Sequence, residues 1–439
     1  MSRFLVAAVT FVAALSFSVA DAEDWLRFRG NKGSGVYESS TPFPAEFSDT
    51  KGVNWKVEMP GAGASSPVIV GDRIFLTCYT GYGQDRSDPG DIENLKRHVV
   101  CFSRTDGKEI WRKDYTPEAP EDPFRGMGVP EHGYTSSTPV SNGKQLFVFF
   151  GKSGVLAFDL DGNELWKTSV GTGSGRMKWG SGASPVLHEN VVIINATDEA
   201  NAFIGLDAET GKEVWKCDGV SNVWMTPIIA GEGDEATLIL SVPYEIWGVN
   251  PKTGKLRWYT TNGVQDGSVS ASPMVYKDKI VAMGGRSQTG VSVTLGGKGD
   301  VTETHTAWKG RSVARIMTPV VYDGHIFAVS GGIATCVSAE DGKEVFKSRL
   351  PSVGDSESGG RRRRGPSGDY CSPVIIDGKL IQFTKKGICY VIAAKPEFEL
   401  LATNQFTEDG SEFNSTPAFA DGTMYVRSNK FLYSIGGKQ

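Results

Sequence analysis

Leu206-Asp207-Ala208-Glu209-Thr210-Gly211-Lys212-Glu213-Val214-Trp215 returns in altered form as Asn250-Pro251-Lys252-Thr253-Gly254-Lys255-Leu256-Arg257-Trp258. In both, a β-rich run stops at Asp or Asn, a Thr-Gly pair turns the chain, and a short second run carries Trp. These runs are too short for helices, so they read as the third and fourth strands of a repeated unit. The same outer-strand position holds Trp55, Trp111, Trp166, Trp215, Trp258 and Trp308, with Phe346 as a substitute. An indole repeated at one position of each unit is expected to be a docking group that packs one unit on the next.

Working outward, each unit is preceded by a Ser-Pro or Thr-Pro pair, a short apolar run and a polar turn. The prolines are Pro67, Pro139, Pro185, Pro227, Pro273, Pro319, Pro373 and Pro417, spaced by 72, 46, 42, 46, 46, 54 and 44 residues. A period in the forties indicates propeller blades. Proline fits the start of a first strand, where its missing N–H costs no ladder bond. Turns such as Asp323-Gly324, Asp377-Gly378 and Asp421-Gly422 supply the positive φ of tight hairpins. The fold expected is all-β: an eight-bladed β-propeller of four-stranded antiparallel blades. The last repeat provides three strands, ending at Phe431 to Ile435, while Val53-Asn54-Trp55-Lys56-Val57 stands alone. The N-terminal strand is therefore expected to complete the last blade and remove an open edge.

The 439 residues include 54 Gly, 39% hydrophobic and 22% charged residues, a composition that excludes disorder, collagen and a polytopic membrane protein. A formal charge of -5 gives no general attraction to nucleic acid. Arg3, the uncharged run 4–20 and Ala20-Asp21-Ala22 read as a signal peptide over residues 1–22, cleaved after Ala22. No Cys precedes Cys78, so a lipoprotein is not expected. The reading is a periplasmic or secreted monomer with no transmembrane segment after cleavage. An N-terminal extension (23–52) precedes a single propeller domain (53–439).

The repeated turn and Trp resemble the pyrroloquinoline-quinone (PQQ) repeat superfamily, whose blades carry an Ala-x-Asp-x-x-Thr-Gly-x-x-x-Trp motif. The resemblance spans about residues 50–435, and Gly205 and Gly248 stand at the motif's Ala position. Asp24-Trp25-Leu26-Arg27-Phe28-Arg29-Gly30 also resembles the start of secreted bacterial PQQ-like propellers. The superfamily includes quinone-dependent dehydrogenases and the non-catalytic barrel-assembly protein BamB, so fold alone does not assign function. The adjacent Cys-Cys pair typical of the quinone-dependent alcohol dehydrogenases is absent from the sequence, as is a Cys-x-x-Cys-His haem site.

Cys101, Cys336 and Cys389 read as small buried residues at the motif's Ala position, leaving at most one disulfide among Cys78, Cys217 and Cys371. Asp159-Leu160-Asp161-Gly162-Asn163-Glu164 has the alternating acids of a calcium loop, but it sits where the other units have their third-to-fourth-strand turn. Gly171-Thr172-Gly173-Ser174-Gly175 lacks the strand-turn-helix context of a phosphate cradle.

Extra sequence is concentrated in residues 80–97, 112–137 and 352–369, loops that a propeller places on one face. Elaboration of one rim is what a binding surface needs. Residues just before the Ser/Thr-Pro pairs should ring the channel mouth: His132, Tyr134, Arg176, Lys178, Trp179, Trp224, Arg315, Asp369, Tyr370, Glu412 and Phe413. Arg361, Arg362, Arg363 and Arg364 form a glycine-flanked basic loop that reads first as a solvated charge run and second as a grip for an acidic partner or polysaccharide. The leading reading is a binding scaffold for a protein partner or extended ligand, with no catalytic residue, metal or cofactor assigned. The alternative is a dehydrogenase dependent on PQQ and calcium, with Trp179 or Trp224 stacked on the quinone.

Overall fold

The computed structural model describes residues 24–436 except 127, 262, 264–266, 285–287 and 353–369. Eight sheets, each built on four antiparallel strands and all but the last taking them in chain order, surround one axis. Blade 1 comprises Val68–Val70, Arg73–Thr80, Lys96–Ser103 and Glu109–Tyr115, from the axis outward. Blades 2 to 7 repeat this order with first strands at Val140–Ser141, Val186–His188, Ile228–Ala230, Met274–Tyr276, Val320–Tyr322 and Val374–Ile376. Blade 8 takes Ala418–Ala420, Thr423–Arg427 and Phe431–Gly436 from the C-terminal end. Its outer strand is Val53–Glu58, paired antiparallel with Val53 opposite Ile435 and Glu58 opposite Phe431. The ring is thus closed by the strand expected to close it.

The Ser or Thr before each proline closes the inner ring. The Ser66 N–H donates to Thr138 Oγ1, Thr138 to Ser184, Ser184 to Thr226 and Thr226 to Ser272, all at 2.9–3.0 Å. Ser272 donates to Thr318, Thr318 to Ser372 and Ser372 to Thr416 at 2.9–3.0 Å, and Thr416 returns to Ser66 at 3.1 Å. Ser and Thr alternate around the circle, and either supplies the Oγ acceptor. All eight residues are buried.

At the periphery, each indole reaches the next blade. Trp55, Trp111, Trp166, Trp215 and Trp308 donate Nε1–H to the carbonyls of Arg104, Leu160, Ala208, Pro251 and Ala339, at 2.9–3.0 Å. The ring lies on the glycine of the neighbour's turn. At Gly254, with φ +67°, an added Cβ would stand 2.6 Å from Trp215 Cε3. Trp258 is fully buried, and Phe346 occupies the same register opposite Cys336.

The cysteine reading needs one correction, at Cys389. The bulge that marks the motif falls after Val391 in blade 7, so Val391 holds the Ala position and Cys389 lies two residues earlier, opposite Asn404. All six cysteines are free, so none of Cys78, Cys217 and Cys371 pairs: they sit in different blades. The acid-rich turn at Asp159 is closed on itself, with Asp159 accepting from the backbone N–H of Asp161 and Asn163 and from the Asn163 amide. Among the described residues no helix is long and apolar enough to cross a membrane.

Replacing Thr226 by Val keeps the side-chain shape but removes the acceptor for the buried Ser184 N–H. Denaturant unfolding should show a loss of about 1–3 kcal/mol, while Thr226→Ser, which keeps the acceptor, should lose about 1 kcal/mol or less. Equal losses in the two variants would mean that the hydroxyl ring carries no stability.

Candidate functional site

The first strands stand side by side around the axis and enclose a central channel. Its lower end is closed by the segment quoted above as Asp24 to Gly30. Trp25 forms a backbone bridge with Ile69 of blade 1, and the Leu26 carbonyl accepts from Ser141 of blade 2. Arg27 Nη2 donates to the Pro227 carbonyl of blade 4 at 3.2 Å. Arg29 donates to the carbonyls of Thr318, Pro319 and Pro373 at 2.6, 2.7 and 3.3 Å, and to that of Ser34 at 2.9 Å. Burial pulls Arg29 down to about 9 and Arg27 to about 10. Both remain cations at neutral pH. Residues 36–37 then pair with the first strand of blade 7, and Asp377 receives the N–H groups of Ser39 and Phe43 as the chain runs outward to blade 8.

Above this floor lies a cup of about 220 Å³ on the elaborated face. Phe28 and the eight ring hydroxyl residues form its base. His132, Trp179, Trp224, Arg315 and Tyr370 form its wall, as do Ser268, Ser270 and Asn414. Trp179 and Trp224 pack with centroids 4.9 Å apart and planes at 40°, and Trp224 Nε1 donates to the Gly180 carbonyl at 2.8 Å. Asn414 is buried, and its Oδ1 has no hydrogen-bond partner. Burial pushes the Tyr370 phenol up to about 12, so it stays a donor.

An arch built from the insertion leading into blade 2 crosses part of the mouth. Its short helix Val129–His132 starts beside Trp179, which leaves room for no more than Gly128, and the His132 Nε2–H donates to the Trp179 carbonyl across 2.9 Å. At its far side Glu131 pairs with Arg86 at 2.6 Å and with Lys385 of blade 7 at 3.0 Å. Burial works against the Glu131 charge, yet Arg86 and Lys385 together hold its carboxyl below the usual range. Burial lowers the pKa of His132, which favours the neutral imidazole.

Of the residues expected at the channel mouth, the fold brings His132, Trp179, Trp224, Arg315 and Tyr370 into one wall. Phe413 is a correction: it is fully buried, stacked on Phe383 at 5.4 Å, in the core between blades 7 and 8. Tyr134 is a second: it packs edge-on against Tyr79 at 5.4 Å beneath the insertion, and its hydroxyl donates to the Asp122 carbonyl. Glu412 pairs with Lys385 outside the cup lining, and Arg176 and Lys178 are exposed on the loop leading into blade 3. Asp369 and Arg361 to Arg364 lie outside the described residues. Sequence reasoning missed Asn414, Ser268, Ser270 and the role of Phe28. The first three were legible in principle, because alternation along an extended chain turns every second residue before the ring toward the axis.

A family model described as outer membrane protein assembly factor BamB matches residues 95–348, more than half of the chain. A polyvinylalcohol dehydrogenase from Pseudomonas sp is 25% identical over 182 residues, which are 37% of this chain and 24% of that protein. The chain thus spans about a quarter of that relative's length. Among solved structures, BamB from Moraxella catarrhalis aligns with a TM-score of 0.56 and 12% identity, covering 88% of this chain and 98% of that one. A europium-containing methanol dehydrogenase aligns at 0.66 with 11% identity, covering 94% and 98%. The quinohemoprotein alcohol dehydrogenase of Comamonas testosteroni aligns at 0.65 with 11% identity, covering 95% and 81%. At these identities the likeness is one of fold.

The arginine floor generates a stability prediction. Arg29→Met should strip donors from four carbonyls and destabilise the propeller by about 3 kcal/mol in chemical denaturation. Arg29→Lys should recover only part of this, because one ammonium cannot reproduce the planar fork. Full recovery by Lys would show that charge alone, without the fork, holds the floor.

Proposed function

The chain belongs to the family of the outer membrane protein assembly factor BamB, and on that premise we propose that it is a periplasmic or secreted binding propeller whose ligand is held by the cup and the surrounding rim. The observation that carries this reading is the cup itself. Its base is sealed by Phe28 and Arg29, so whatever it takes must arrive from the elaborated face. Its chemistry is that of recognition: two indoles and a phenol for a flat or apolar face, Arg315 for an acidic group, and Asn414 Oδ1 for a donor. The ligand that matches is an extended chain with acidic groups, either a segment of a partner protein or a polysaccharide. The basic run Arg361 to Arg364 extends the same preference. Secretion through the residue 1–22 signal and a monomeric state complete the proposal.

A second reading is favoured by the Trp179–Trp224 pair, which could stack on a quinone. In a PQQ-dependent dehydrogenase the quinone would be the oxidant and calcium its polarising ion. Calcium takes six to eight oxygen ligands, usually with carboxylates among them. The described lining of the cup offers hydroxyls and the Asn414 amide but no Asp or Glu. These residues do not fit the quinone and calcium pair, and no catalytic step is derived through it.

The two readings separate in one experiment series. Immobilised protein should capture a partner or polysaccharide from a periplasmic extract, and Trp224→Ala with Arg315→Ala should reduce capture at least about tenfold, the loss expected when a stacking and a charged contact are both removed. Deleting residues 352–369 should weaken capture and leave unfolding unchanged. Titration with PQQ and calcium should leave tryptophan fluorescence without a saturable, calcium-dependent change. Saturable quenching that needs calcium would replace the binding reading by the dehydrogenase one.

A further inference from the structure

Four carboxylates are buried beside the cup, where the insertion 116–139 meets blades 1, 2 and 3. Glu121 and Asp122 come from the insertion, Asp198 and Glu199 from the loop between the second and third strands of blade 3. They surround a cavity of about 30 Å³ that shares Ser136 with the cup lining. Two cations face them. Arg97 of blade 1 pairs with Glu121 at 2.8 Å, and Lys152 of blade 2 lies 3.3 Å from Asp122, which also accepts from Ser174. The cations are thus engaged with the insertion's own acids.

Asp198 and Glu199 are left over. Each is 7% exposed and neither has an ion-pair partner among the described residues: as hydrogen-bonding neighbour Asp198 has only the Trp224 indole, whose N–H is engaged by the Gly180 carbonyl, Oε2 of Glu199 has no hydrogen-bond partner, and Glu199 Oε1 takes the Ser181 hydroxyl. With all four acids ionised the nest would hold four negative charges against two positive ones, a deficit that burial does not tolerate. Among the described residues no three acidic, histidine or cysteine side chains are placed to hold a metal ion. Protons on Asp198 and Glu199 are the counter-charge that this geometry accommodates. The glycine run at 171–175 seals the nest. A Cβ on Gly173 would stand 2.8 Å from the Glu199 carbonyl oxygen, and one on Gly175 would collide with the Asp198 carboxylate.

We propose that Asp198 and Glu199 form a proton-operated latch: neutral, they let the insertion 116–139 dock and hold the arch over the cup, and ionised, they repel Glu121 and Asp122 and loosen it. The coupling to the cup is covalent, since the same insertion carries Gly128 and His132 into the wall. Burial, with the Asp122 charge, pushes Asp198 up to about 7 against the opposing pull of Trp224 and Lys152. Burial, with Asp198 and Glu121, pushes Glu199 up to about 8 against the Ser181 hydroxyl. Both values lie above the ordinary carboxylate range near ~4. A raised acid pKa stabilises the docked state fully below that range, and the contribution is lost as pH climbs to the docked values. The docking equilibrium should fall by up to about tenfold per pH unit for each proton released.

The latch stands whatever the cup binds, and its test needs no ligand. Hydrogen exchange of the full chain, corrected for intrinsic rates, should show amides in 116–139 losing at least about tenfold in protection between pH ~5.5 and ~8.5, given the release of one to two protons. The strand Lys279–Gly284 of blade 5 serves as the unaffected control. Asp198→Asn with Glu199→Gln should keep the segment protected at the higher pH. Constant protection in the unmodified protein, or an equal loss in the double variant, would overturn the latch. Should the double variant fail to fold, infrared difference spectra of the unmodified protein decide: a protonated carboxyl band must persist above pH ~6, and its absence overturns the latch. Restoration of protection at high pH by calcium alone would likewise overturn it, in favour of a cation site.

Discussion

A first strand at the centre of a propeller is an edge strand with no neighbouring strand of its own blade on the inner side, and its inward backbone groups must find partners elsewhere. Three devices meet that constraint in this chain. Proline removes one donor per blade. The preceding N–H is taken by the hydroxyl of the next blade, in a closed circle of eight bonds. The carbonyls at the lower end are taken by two buried arginines from the N-terminal segment. A Ser/Thr-Pro pair is therefore a single unit of meaning, acceptor and non-donor together, and the blade count follows from the circle it must complete.

Closing the lower end has a functional consequence. The chain spends residues 24–35 on the floor and then runs outward between blades 7 and 8 to supply the last outer strand. The lower face is left with tight turns, five of which accept a hydrogen bond from the preceding blade's indole. Long loops are accommodated on the opposite face, where the insertions of blade 1 and blade 2 pack on each other through Tyr79, Tyr82, Val129 and Tyr134. That tyrosine-rich cluster makes the arch a folded extension of the propeller, and the cup inherits a wall whose position depends on it.

The fold was legible because propeller strands announce themselves locally: a proline, a turn, a Thr-Gly and a Trp at fixed offsets. The hydroxyl ring was not, although its residues were in view, since each bond joins positions 42 to 72 apart or the two ends of the chain. The arginine floor was hidden for the same reason: Arg29 finds its carbonyls 289 to 344 residues away. Within the site, five of the residues read from the sequence share the wall, but Phe413 faces the core and its neighbour Asn414 faces the cup. Proximity to the proline sets the height of a residue in the channel, and the local course of each entry loop sets which way it faces: Arg315 and Phe413 both stand three residues before a ring hydroxyl, and only Arg315 lines the cup. Only the first of these was used. Cys389 is a different error, a slip of two residues that keeps the face but misplaces the motif, in a blade whose outer strand lacks the Trp that fixes it.

Charge is distributed around the cup in a way that the course of the entry loops alone does not explain. The described lining holds an arginine, a histidine driven toward neutrality and many hydroxyls, while four acids are gathered just behind it, beyond Ser136. Acids placed in the cup would have been solvated and would have repelled an acidic ligand. Placed behind the wall, they are desolvated, and their charge is contested by Arg97, Lys152 and protons. On the proposed readings the same side chains do opposite work on the two sides of a single loop: kept out of the cup they leave Arg315 as its cation toward an acidic ligand, and confined in the nest they make the docking of the arch depend on proton activity. The proposed latch thus lies where the insertion meets blade 3, away from the inner circle of hydroxyls and from the outer indoles.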